Sequence, residues 1–148
     1  MRVVVQRVSE ARVEIGGAVH AAIGPGLAVL AGFRPADGEA DLEWMARKIV
    51  GLRIFPDAEG LLNLDLGAMS GGLLVVPNFT LYGDCRKGRR PSFTEAAPPE
   101  AAAALFEQFL SHLQAQGAEA RAGVFGAHMH VHLVNDGPIT LLLDSDKQ

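Results

Sequence analysis

Val3, Val5 and Arg7 alternate with Val4, Gln6 and Val8, and Ala11, Val13 and Ile15 carry that period of two into Gly16-Gly17. A period of two sends successive side chains to opposite faces, and a Gly-Gly pair supplies the left-handed backbone of a tight hairpin. The chain therefore opens as a strand and must build a sheet around it. Ala18 to Ile23 reads as the returning strand, Gly24-Pro25-Gly26 as a second turn, and Leu27 to Phe33 as a buried strand, so a meander is expected.

Helical spacing interrupts the strands twice. Asp41 reads as an N-cap, with Leu42, Met45, Ile49 and Leu52 on one face and Arg47 and Lys48 on the other. Pro98-Pro99 precedes a second helix over Glu100 to Gln116, where Ala102, Leu105, Phe106, Phe109, Leu110 and Leu113 form the apolar stripe and Gly117 the stop. Leu52 to Phe55, Gly72 to Phe79, Glu119 to Val124, His128 to Asn135 and Ile139 to Leu143 read as strands. Pro56 to Gly60 and Asn135-Asp136-Gly137-Pro138 read as turns, and Leu81 to Pro99 as a long loop. The expected fold is mixed α/β: one domain over 1–148, a strand-rich, barrel-like sheet layer and two main helices.

Composition excludes several classes. Hydrophobic residues are 49% and charged residues 20%, which is globular rather than disordered. The longest apolar runs, such as Leu73 to Pro77, fall far short of the roughly 20 residues that cross a bilayer. The opening MRVVVQRVS lacks the apolar block and cleavage site of a secretory signal, and Cys85 has no second cysteine to pair with. A cytoplasmic protein is expected. A net charge of −4 provides no global field for nucleic acid, so any RNA contact must be local. Arg86, Lys87, Arg89 and Arg90 place four cations in five residues, beside Pro91, Ser92 and Phe93. Such a patch suits phosphate contacts that position an RNA backbone.

Conventional catalytic motifs are missing. No Walker loop, Gly-x-Gly-x-x-Gly or Gly-x-Ser-x-Gly occurs, so Thr80 and Ser92 stand without a motif. Cys85 has cations beside it that would lower a thiol pKa, but no neighbouring histidine as base. His128, His130 and His132 share one face of a strand; two of them could chelate a metal, while the outer pair lies roughly 13 Å apart, too far for one ion. A solvated strand face is the simpler reading, and no metal or other cofactor is expected.

Four stretches, MRVVVQRVS, ARKIVGLRIF at 46–55, NFTLYGDCRKGRRPSF at 78–93 and NDGPITLLLDS at 135–145, together resemble the D-aminoacyl-tRNA deacylase family over essentially the whole chain. The resemblance implies a homodimer, with the active site at the subunit interface, that hydrolyses the ester between a D-amino acid or glycine and the 3′ end of tRNA, with no DNA or membrane partner. It implies main-chain chemistry: backbone N–H groups of Phe79 and Thr80 facing the ester carbonyl, Pro77, Asn78 and Met129 lining the pocket, and the basic loop meeting tRNA. Gly137-Pro138, cis in that family, would enter the partner's pocket and exclude an L side chain; Arg7 would brace that turn through backbone carbonyls. A nucleophilic role for the Thr80 hydroxyl is the alternative. One departure stands out: Pro77-Asn78 replaces the family's usual Ser-Gln, and Pro77 lacks an N–H. That departure leaves two further readings, a relaxed editor of L-alanyl-tRNA and a non-enzymatic RNA-binding homologue, and the strand histidines leave a third, a metal-dependent hydrolase.

Overall fold

The computed structural model describes residues 1–147. Strand β1 (Arg2–Ile15) is long enough for two partners end to end on one edge. Gly16 and Gly17 adopt φ of 59° and 83°, and β2 (Ala18–Ile23) returns antiparallel along Ala11 to Ile15. Strand β3 (Gly26–Gly32) then pairs antiparallel with the first half, from Arg2↔Gly32 to Val8↔Gly26. The expected meander is thus corrected: β3 docks on β1 rather than on β2, because β1 outruns β2 and leaves half its edge open.

Helix α1 (Glu39–Val50) carries the chain from β3 to β6 (Gly72–Pro77), and the two strands pair parallel. Helix α2 (Pro99–Ala115) makes the next crossover, from β6 to β7 (Ala120–Ala122), again parallel. Parallel neighbours need such a long connection, which explains why helical spacing interrupts the strands where it does. A small hairpin of β4 (Phe55–Pro56) and β5 (Leu62–Leu64) lies between α1 and β6. The last strand, β8 (His130–Asp144), covers the other edge of β1 over nearly its whole length. Strand β2 curls round toward β6 and β7, so the sheet is nearly closed.

Each face of the sheet has its own core. On the helix side, Val3, Val5, Leu27, Val29, Leu73 and Val75 pack with Leu42, Met45, Ile49, Phe106, Phe109 and Leu113. Phe33 sits edge-on to Phe106 and Phe109 at 6.4 and 6.2 Å between ring centroids. Truncating such a buried phenylalanine to alanine typically costs about 3–5 kcal/mol. Inside the curl, Val8, Ala11, Val13, Ala28, Leu74 and Val76 form a second cluster. Strand β1 serves both because Ser9 is an extra residue: Val8 faces Asn135 and Glu10 faces Val134. An odd insertion inverts a period-two pattern, so Val3 and Val5 face the helices while Ala11 and Val13 face inward.

Several boundaries differ from the sequence reading. Gly38 is the N-cap of α1; Asp41 is its third residue, and its carboxylate accepts from the Gly38 N–H at 3.0 Å, while Leu52 lies beyond the helix end. The strand expected over Leu52 to Phe55 shrinks to Phe55–Pro56, Gly72 to Phe79 ends at Pro77, and Glu119 to Val124 contracts to Ala120–Ala122. The two strands expected on either side of Asn135 to Pro138 are one strand with a bulge. The sequence there has turn chemistry, but β1 continues alongside and holds both halves in one ladder.

Candidate active site

Where β6 ends, the backbone turns. Pro77 closes the strand, and Asn78 caps a single 3₁₀ turn over Phe79–Tyr82 from an extended backbone. The Asn78 N–H remains tied to the Ala31 carbonyl at 2.7 Å. Its side-chain oxygen accepts twice from Thr80, from the backbone N–H at 3.2 Å and from the hydroxyl at 2.5 Å. The Phe79 N–H, by contrast, has no acceptor among the hydrogen bonds of the described residues.

This turn forms one wall of a cleft of about 520 Å³. Pro77, Asn78 and Phe79 face Met129 and the Phe125 to Ala127 segment, while Phe93, Ala96, Ala97 and the start of α2 complete the rim. Apolar surface dominates the lining, as in most small-molecule sites. Gly123 makes room for Met129: a Cβ at that position would lie 2.7 Å from the Met129 sulfur. Phe79 and Phe93, both partly exposed, meet edge-to-face with centroids 5.2 Å apart. Thr80 is exposed beside the cleft.

Gly137 and Pro138 lie elsewhere in the same chain. Gln6 faces Thr140 and Val8 faces Asn135, so β1 advances two residues while β8 advances five. The three surplus residues push Gly137-Pro138 out of the sheet, exposed, with a cis bond between them. Asn135 clasps the base of this projection, accepting the Ile139 N–H at 2.9 Å and donating to the Thr140 hydroxyl at 3.0 Å. Arg7, only 9% exposed, donates to the Asp136 carbonyl at 3.0 Å and to the Ile54 carbonyl at 2.6 Å. The structure thus brings Pro77, Asn78, Phe79 and Met129 together and leaves Gly137 and Pro138 outside the cleft of their own chain.

The basic segment is an arm closed by one bridge: Asp84 and Ser92 exchange backbone hydrogen bonds of 2.7 and 2.9 Å. Arg86 turns back onto Asp84 with two contacts of 2.8 Å, and these hydrogen bonds hold the Asp84 carboxyl down to about 2. Lys87, Arg89 and Arg90 are exposed and carry no ion pair among the described residues. Cys85 is exposed and lines a separate cleft with Arg2, Tyr82, Arg86 and Glu95; no histidine is there.

His130 and His132 occupy β8 on the face opposite Met129 and Leu133, with His128 just before the strand. The rings of His128 and His130 are 5.2 Å apart. His132 Nε2 lies 3.3 Å from a Glu14 carboxylate oxygen without hydrogen-bond geometry. Glu14 is held below the usual carboxylate range by Arg12 first and by His132 as well. Among the described residues no three His, Cys, Asp or Glu side chains converge on a metal position.

Phe93, Ala96, Phe125 and Ala127 complete the cleft and Gly123 supports it, and none of them stands out as a cleft residue in the sequence. Gly123 and Gly126, spaced closely before the histidines, were the one signal of a backbone passing near another group.

The D-Tyr-tRNA(Tyr) deacylase family profile matches residues 4–144. The D-aminoacyl-tRNA deacylase of Thermotoga petrophila is 56% identical over 99% of both chains. That of Acaryochloris marina is 49% identical over 100% of this chain and 98% of its own. Among solved structures, the c-Myc DNA Unwinding Element Binding Protein superposes with a TM-score of 0.91 at 39% identity, covering 97% of this chain and 98% of that one. A probable eukaryotic D-amino acid tRNA deacylase shares the fold, with a TM-score of 0.81 at 18% identity over 96% and 97% of the two chains. The chain belongs to the D-Tyr-tRNA(Tyr) deacylase family and is a hydrolase acting on D-aminoacyl-tRNA.

Proposed function

We propose that this single domain, 1–148, cleaves the ester of D-aminoacyl-tRNA and of glycyl-tRNA through main-chain groups, as a cytoplasmic homodimer needing no metal or other cofactor. The observation that carries this reading is the cleft itself: Phe79, whose N–H has no acceptor among the described residues, lines it with an apolar wall, and among those residues no acid, base or nucleophile side chain lines it. Water attacks the ester carbonyl carbon, negative charge grows on the carbonyl oxygen, and the bond between the acyl carbon and the ribose oxygen breaks; one water proton goes to that ribose oxygen and the other to solvent. The tRNA leaves as an alcohol and the amino acid as a carboxylate. Backbone donors facing that oxygen stabilise the charge; one such donor is typically worth about 2.7–4 kcal/mol of barrier.

A nucleophilic Thr80 is disfavoured. Its hydroxyl already donates to the Asn78 amide oxygen, which is far too weak a base to remove the proton.

Gly137 and Pro138 supply chirality in this reading by entering the cleft of a second copy, where they crowd the position of an L side chain. Their exposure outside their own cleft, on a base fastened by Arg7 and Asn135, supports that assignment. Glycine has no β-carbon to reject, so glycyl esters pass the filter. Lys87, Arg89 and Arg90, with Arg86 partly neutralised by Asp84, meet tRNA phosphates.

A second reading, editing of L-alanyl-tRNA, rests on Pro77, which removes an N–H from the cleft wall. The deciding experiment measures hydrolysis of matched D-, L- and glycyl esters of tRNA, with a chelator and a Pro77→Ser variant alongside. Cleavage of D- and glycyl esters in chelator, with L-esters spared, is the expected result. Rapid L-alanyl cleavage favours the second reading, activity lost to chelator a metal hydrolase, and activity gained only in Pro77→Ser a disabled pocket.

A further inference from the structure

We propose that Asn78 is a positioning residue that keeps the Thr80 donor aligned by occupying, before substrate arrives, the place the ester oxygen takes during the reaction. This rests on the main-chain reading above. The Asn78 amide oxygen accepts from both the N–H and the hydroxyl of Thr80, at 3.2 and 2.5 Å, while Asn78 itself lines the cleft. Two consequences follow. The single hydroxyl proton of Thr80 is committed to Asn78, leaving only oxygen lone pairs of Thr80 for other donors. The Thr80 N–H is also held to a neutral acceptor rather than left to water.

Exchanging one neutral acceptor for another changes little free energy, so a ground-state ester carbonyl and the Asn78 amide are near-equals for this donor. An oxyanion is a stronger acceptor, because hydrogen bonds to a charged partner are roughly twice as strong. Asn78 therefore yields as negative charge develops and not before, which is stabilisation concentrated in the transition state. A neutral occupant is essential to this exchange. A carboxylate in the same place would compete with the oxyanion for the donor and repel it.

Asn78→Asp separates this role from simple capping, since Asp and Asn cap a helical turn equally well. The protein is assayed with D-aminoacyl-tRNA, and kcat, KM and the pH profile are compared with wild type. The expected result is a kcat lower by about a hundredfold at neutral pH, little change in KM, and unfolding temperatures that match. The deficit relative to wild type should shrink as pH falls and the introduced carboxyl protonates. Asn78→Ser, which keeps a neutral acceptor, should stay within a few-fold of wild type. An Asn78→Asp enzyme equal to wild type at every pH, or Asn78→Ser as impaired as Asn78→Asp, overturns the inference while leaving the deacylase reading intact. A wild-type protein that cuts no aminoacyl ester overturns both.

Discussion

Two exposed segments carry the most distinctive residues of this chain, and they are built on opposite principles. The projection at Asp136 to Pro138 is held from beneath by a nearly buried arginine and by both ends of the Asn135 amide. The arm at Asp84 to Ser92 is held by one backbone bridge and an edge-on aromatic contact, with its charges out in solvent. The difference follows from what each is proposed to do. Steric exclusion depends on tenths of an ångström and needs a braced element. Attraction of phosphate falls off over a Debye length of about 8 Å at physiological salt and tolerates a loosely held one.

The sharpest way to break that contrast is Arg7→Ala. It leaves the Asp136 and Ile54 carbonyls without their donor, and a buried orphaned acceptor costs about 1–3 kcal/mol. We expect a lower unfolding temperature, and D-over-L selectivity that falls by tenfold or more in competition assays with both esters. Selectivity unchanged in a folded Arg7→Ala protein would show that the projection needs no brace.

Arg89→Ala with Arg90→Ala should act differently. Turnover at saturating tRNA should persist, while the dependence of log Kd on log salt flattens by about 0.7–0.9 for each phosphate that is no longer neutralised. Equilibrium binding across a salt series reads this directly, and an unaltered slope removes these residues from the tRNA surface.

Phe93→Ala probes the residue that joins the end of the arm to the cleft. Removing the ring that meets Phe79 edge-on should cost about 0.5–1.5 kcal/mol beyond buried area and raise KM several-fold with kcat nearly constant.

The smallest effect concerns Asp84. Its folded pKa is depressed to about 2 by Arg86, so the pair is fully formed above the ordinary carboxylate range and is lost only as pH falls through about 2. Carboxyl carbon chemical shifts should show Asp84 titrating near 2, and Arg86→Ala should return it toward the ordinary aspartate value. An unmoved titration would mean that Arg86 is not what lowers the Asp84 carboxyl.

Much of this architecture was legible in advance because its causes are local. Gly16-Gly17 adopts the left-handed turn that its composition favours, and Leu42, Met45 and Ile49 bury the face that their spacing marks. The basic arm was legible too, since charge density needs no fold to be seen. Asn135 to Pro138 reads as a turn because turn residues look the same in a turn and in a bulge. What distinguishes them is the mismatch with β1, and Gln6 and Thr140 are 134 residues apart in sequence.

The cleft shows the same division. Pro77 to Thr80 stands out through the family resemblance, and the structure lines the cleft with Pro77, Asn78 and Phe79. Phe93, Phe125 and Gly123 carry no mark of their role, because a pocket wall is defined by what lies opposite. By itself, the sequence determined the long strands of the sheet, the two helices and the places where polar and charged groups would gather, since these depend on neighbours a few residues away. Only the tertiary structure decided which face each half of β1 serves, that Gly137-Pro138 leaves the sheet, and that Asn78 holds Thr80. The first two depend on register between distant strands, and the third on the extended backbone of Asn78, whose N–H is tied to Ala31 of the neighbouring strand.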